Sequence, residues 1–140
     1  MRKLKLMNYQ LLLSGLFLLL ATSCDKEDQS IISPIVESVE VFDIANDSFK
    51  FKGRVIDEGS GYISAGAIAS TNQHNWQGDD FIADLQLKHQ GEGEYIADFS
   101  QHGIQSGTRY YVRAYVTYYT HNMILTTETR YGSILTFTTN

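Results

Sequence analysis

From residue 49 onward the inward-pointing positions recur at every second residue. Phe49, Phe51, Gly53 and Val55 alternate with Lys50, Lys52 and Arg54. That period of 2 predicts a half-buried strand with one wet face. Tyr95, Ala97 and Phe99 alternate with Glu94 and Asp98 in the same way. Tyr110, Val112, Ala114 and Val116 alternate with Tyr111, Arg113, Tyr115 and Thr117, and Leu135 and Phe137 with Thr136 and Thr138. Further strands are predicted near Val36–Ile44, Tyr62–Thr71 and Phe81–Leu87. Turn residues punctuate them at Ala45–Ser48, Glu58–Gly61, Gly91–Gly93 and Gly103–Gly107. No sustained helical period follows residue 30, and no internal repeat is present. Seven short strands between turns predict an all-β fold of sandwich type.

The first 23 residues follow a different pattern. Arg2, Lys3 and Lys5 form a basic start, and Leu11–Leu13 and Leu16–Leu20 form an apolar run. Together these have the build of a secretory signal. The run from Leu11 to Ala21 is about half of the ~20 residues that span a bilayer, so a permanent transmembrane helix is disfavoured. The single Cys follows at once, in Ala21-Thr22-Ser23-Cys24. This resembles a bacterial lipobox, in which the Cys becomes the first mature residue and carries acyl chains. Several chains anchor stably where one is marginal, at roughly 0.8 kcal/mol per buried CH₂. Lys26, Glu27 and Asp28 resemble the export tag of lipoproteins displayed on the outer leaflet. The same residues also make a solvated tether.

The expected organisation is a signal peptide at 1–23, a polar tether at 24–34 and one sandwich domain at 35–140. Composition agrees with a folded core, at 43% hydrophobic and 19% charged residues. A lone Cys excludes a disulfide scaffold and a Cys-cluster metal site. The net charge is −5, and losing Arg2, Lys3 and Lys5 with the signal makes it −8. An anionic domain argues against nucleic acid as a partner.

The C-terminal third sharpens the fold. Ile104-Gln105-Ser106-Gly107-Thr108-Arg109-Tyr110 resembles the L-x-P-x-T-x-Y signature of fibronectin type III domains. Tyr111–Val116, Tyr131-Gly132 and Thr136–Thr139 follow in the family's order, and Phe51–Gly59 resembles its early strand and turn. The resemblance covers residues 36–140 and implies a seven-stranded fibronectin type III/immunoglobulin-like β-sandwich, as in modules of bacterial surface lipoproteins. It also implies that Tyr110 is a structural tyrosine corner, its ring in the core and its hydroxyl bonded to the preceding loop. Ser106 departs from the family's Pro. The family's early Trp is absent, with Phe49 or Phe51 in its place.

No catalytic constellation is visible. His74, His89, His102 and His121 are not spaced as zinc ligands. Asp79, Asp80 and Asp84 lack the alternating oxygen donors of a calcium loop. There is no phosphate loop and no Gly-x-Ser-x-Gly elbow. The chain is therefore read as non-enzymatic, without cofactor or metal. Three surface features are candidates for binding. Tyr111, Arg113 and Tyr115, with Tyr119, lie on the wet side of one strand, where they serve either recognition or cross-strand scaffolding. Trp76 lies in a polar loop, as a stacking platform or as a folded-back cover. Met123, Ile124 and Leu125 lie in the final hairpin, which either exposes them or lengthens both strands. The three are expected on separate surfaces. The expected role is adhesion or accessory glycan or protein binding by a lipid-anchored module on the outer membrane. The rival roles are a structural spacer or complex subunit, and a small inhibitor or immunity lipoprotein.

Overall fold

The alternation predicted from the sequence becomes eight strands among the described residues. They are β1 (Ile35–Phe42), β2 (Lys50–Asp57), β3 (Ser64–Ser70), β4 (Phe81–Leu87), β5 (Gly93–Asp98), β6 (Arg109–Tyr119), β7 (Thr127–Tyr131) and β8 (Leu135–Thr138). The computed structural model describes residues 30–78, 81–87, 90–120 and 126–140, of which 83–85 by backbone alone. All pairings are antiparallel. One sheet has the order β1-β2-β5; the other has the order β4-β3-β6-β7, with β8 also on β6. The two sheets pack through one shared core, an all-β sandwich. Residues 31–140 form one compact unit.

The eighth strand has a local cause. β7 pairs with Tyr115–Tyr119 of β6, and β8 pairs with Arg109–Val112. Both therefore lie along one side of β6, as an interrupted strand. At the interruption, Ala114 accepts a hydrogen bond from the Gly132 N–H (2.9 Å). The Ala114 N–H is taken instead by Ser38 Oγ of β1, at 3.0 Å. A Cβ on Gly132 would lie 2.7 Å from Ser38 N, so only glycine lets β1 come this close. β1 shifts register between Ser38 and Glu40 at the same place. The first strand thus ties one sheet to the other and divides the last strand in two.

Phe49, Phe51, Phe99, Tyr110, Val55, Val112 and Val116 are fully buried. Each contributes about 1.5–3 kcal/mol of transfer free energy. Phe49 stacks on Phe99 at 4.5 Å and meets the edge of Phe137, also at 4.5 Å. Phe137 itself is half-buried. β3 contributes only Ala65, Ala67 and Ala69 to this core, which leaves room for the aromatics opposite. Tyr95 uses that room. Its ring lies against Gly53 and its hydroxyl donates to Gly66 O of the facing sheet (2.8 Å). Burial raises the Tyr95 pKa well above its ordinary value.

Tyr110 occupies the place expected of it. Its ring is buried, and its hydroxyl accepts the Gln105 N–H at 2.8 Å. The group satisfied is thus a loop donor. Thr139 completes this end, its Oγ1 accepting from Thr108 N–H and donating to Gln105 O.

On the outer face of β1-β2-β5 the charges pair. Lys50 lies opposite Asp98 and Arg54 opposite Glu94. The closest ion pairs are Lys50–Asp43, Lys52–Glu40 and Arg54 with both Glu37 and Glu94. β1 ends earlier than expected because Asp43 has a positive φ of 50° and turns the chain away.

Candidate recognition face

The outer face of the other sheet is built differently. Along β6 the inward residues are Tyr110, Val112, Ala114, Val116 and Tyr118. The period of 2 sends Tyr111, Arg113, Tyr115 and Thr117 to the opposite face. Register then assembles rows across the sheet. Gly66, Tyr115 and Tyr131 form one row, and Ser64, Thr117 and Thr129 the next. Ile68 lies opposite Arg113, and Ser70 opposite Tyr111.

Arg113 is the centre of this face. Its guanidinium carbon lies 3.8 Å from the centroid of the Tyr131 ring and 4.2 Å from that of Trp76. Both are cation–π contacts. Trp76 arrives from the β3–β4 loop, which is held by its own hydrogen bonds. Ser70 Oγ bonds to Asn72 O and Asn75 O, and Asn75 Oδ1 accepts the Gln77 N–H. The Trp76 indole Nε1–H donates to Gln73 O at 3.1 Å. The ring is therefore fixed over the arginine by the loop itself.

No described residue accepts a hydrogen bond from Arg113. Its Nε is buried and lacks an acceptor. Desolvation lowers the Arg113 pKa from its ordinary value, and the Tyr131 hydroxyl acts weakly the other way. Lys50, Lys52, Arg54 and Arg130 each have a carboxylate within 4 Å, and Arg113 has none among the described residues.

A groove of about 380 Å³ opens beside the arginine. Tyr115 and Tyr131 form its aromatic wall, with ring centroids 6.4 Å apart. Thr117, Thr127 and Thr129 present hydroxyls along it, and Gln86 presents an amide. Ile68 and Tyr131 join the groove to Arg113, since one is its cross-strand partner and the other lies at its guanidinium. The volume falls at the low end of the roughly 300–1,000 Å³ of small-ligand sites. Planar rings, hydroxyls and a stacked cation can hold a polyhydroxylated ligand by stacking and hydrogen bonds.

Trp76 and Arg113, expected on separate surfaces, are in contact. The β3–β4 loop folds back over the sheet rather than standing clear at its end. Tyr115, expected on the wet side, is only 6% exposed, because Tyr131 from β7 covers it. Tyr111 does face outward, opposite Thr136 of β8, but is not among the groove residues. Tyr119 is exposed and pairs with Thr127. Met123, Ile124 and Leu125 lie outside the described residues, as do Cys24, Lys26, Glu27, Asp28, Asp79, Asp80, His89 and His121. Tyr131 and the groove threonines were not singled out from the sequence. Their signal is the phase of Thr127, Thr129 and Tyr131, which alternate with Glu128 and Arg130 opposite β6.

Among the described residues no three His, Cys, Asp or Glu side chains group as a metal site. Nor is any described helix long and apolar enough to cross a membrane. Comparison with protein-family models, with curated proteins and with solved structures finds no match to this chain.

Proposed function

We propose that this chain is a non-enzymatic recognition module, lipid-anchored at Cys24 on the cell surface, that binds a glycan on the outer face of β4-β3-β6-β7. The single observation that carries this reading is Arg113, held over Trp76 and Tyr131 beside an open groove, with no acceptor among the described residues. A purely scaffolding arginine gains most from a carboxylate partner, as Arg54 does with Glu37 and Glu94. A fibronectin type III-like ancestry fits the same picture. The sheet order β1-β2-β5 against β4-β3-β6-β7/β8 supports it, as does the bond between Tyr110 and the preceding loop. Rigid sandwiches of this kind present ligand-binding side chains on a fixed frame.

The test is a glycan array probed with the full chain in mild detergent, beside Arg113→Ala and Tyr131→Ala. Retention of a defined set of glycans by the wild type, with loss in both variants, is the expected outcome. Wild-type retention of no glycan would favour the spacer or subunit role. Retention undiminished in both variants would move the site elsewhere.

A further inference from the structure

Resting on that reading, we propose that the ligand is an acidic sugar, its carboxylate held by the Arg113 guanidinium and its ring hydroxyls by the threonine groove. A guanidinium stacked on aromatic rings keeps its flat faces covered and its N–H edges for an acceptor in the ring plane. A carboxylate matches that edge with two parallel hydrogen bonds. Among the described residues no carboxylate lies within 4 Å of this guanidinium. In the row of the sheet through Arg113 the acid is Asp84, two strands away across Ile68. Arg113 Nε is already shielded from water without an acceptor. A partly desolvated cation binds an anion more strongly than a hydrated one, because part of the desolvation cost has been met in the free protein.

The groove fits the rest of such a ligand. Tyr131 lines it and also lies 3.8 Å from the guanidinium, so one ring borders both the groove and the arginine. Thr117 Oγ1 and Thr129 Oγ1 lie 3.1 Å apart, paired with one another in the absence of ligand. Each hydroxyl keeps a free lone pair for a sugar hydroxyl. The surrounding charge sharpens the selection. The processed chain would carry a net −8 and repel polyanions at long range. An acidic sugar is then retained only where it reaches Arg113, rather than over the whole surface.

The probe pair is a uronic-acid oligosaccharide and the same oligosaccharide after carboxyl reduction. Binding to the full chain in mild detergent is read by fluorescence of Trp76, which is the one Trp in the chain. The wild type should bind the uronate form about 10- to 100-fold more tightly, the difference made by a hydrogen bond to a charged group. Arg113→Gln should abolish that preference while leaving weak binding of both forms. Arg113→Lys should keep only part of it, because an ammonium lacks the planar fork. Equal binding of the two forms by the wild type would overturn the acidic-sugar proposal and leave the glycan reading standing. Persistence of the preference in Arg113→Gln would overturn the assignment to this arginine. Failure of the wild type to bind either form, or any neutral glycan, would overturn both.

Discussion

Replacing Gly53 by Ala tests how the two sheets are joined. A Cβ at this position would lie 2.5 Å from Cζ and 2.6 Å from the hydroxyl oxygen of Tyr95. Tyr95 cannot retreat cheaply, since it is 6% exposed and its hydroxyl is bonded to Gly66 O in the facing sheet. Overpacking alone costs about 1–3 kcal/mol. Displacing the ring also strips the Gly66 carbonyl of its donor, about 1–3 kcal/mol more. Ala recovers about 0.5–1 kcal/mol over Gly through the unfolded chain. The expected net loss is about 2–4 kcal/mol, or on the order of 10–20 °C in melting temperature for a domain of this size. Urea unfolding of both proteins measures it, with unchanged slope showing that the unfolded state is the same. In a Tyr95→Leu background the same substitution should cost less than half as much, because the clashing ring is gone. A loss below about 1 kcal/mol in the wild-type background would refute the reasoning. So would an equal loss in the two backgrounds.

Tyr110→Phe keeps the ring and orphans the Gln105 N–H, so denaturant curves should show a loss of about 1–2 kcal/mol; no shift would mean that the hydroxyl is not structural. The ion-paired face gives an acid-side dependence. Glu94 lies below its ordinary value of 4.5 chiefly through its hydrogen bond from Arg54, and Asp98 below 3.8 chiefly through that from the Ser100 N–H. Lowered carboxyl values mean stability that is present above the ordinary range and lost as pH falls through the lowered ones. Glu94→Gln should therefore lose less melting temperature than the wild type as pH falls from neutral to well below 4.5, and added salt should shrink the difference; identical losses would contradict the pairing. Cys24→Ser should remove acylation and release the chain from the membrane fraction, and a variant that still sediments with membranes would overturn the anchor.

The parts of this fold that follow from period 2 were readable from the sequence. The inward set Phe49, Phe51, Val55, Tyr95, Phe99, Tyr110, Val112 and Val116 is buried as the alternation demands. The shared outer face of Lys50, Arg54, Glu94 and Asp98 followed from the same phase. The interrupted last strand did not, because it depends on Ser38 reaching Ala114 across 76 positions of sequence. Nor did the candidate recognition face. Arg113 and Tyr115 were readable as outward residues, but not that Tyr131 would cover Tyr115 from the next strand. Trp76 gave no periodic signal in its polar loop. Its place over Arg113 is set by local hydrogen bonds of Ser70, Asn72 and Asn75, a geometry that residue types alone leave open. Stacking needs a partner at about 4 Å, and alternation specifies only the face.

The proposed binding surface is the outer face of β4-β3-β6-β7. Amide and side-chain NMR during titration with the uronic-acid oligosaccharide tests it most directly. Binding on this face should give saturable shifts at the Trp76 indole N–H, the Arg113 Nε–H and the amides of Tyr115, Thr117 and Thr129. Lys52, Arg54 and Glu94 on the other sheet should stay still. Saturable shifts confined to that other sheet, with Trp76 and Arg113 unmoved, would contradict it.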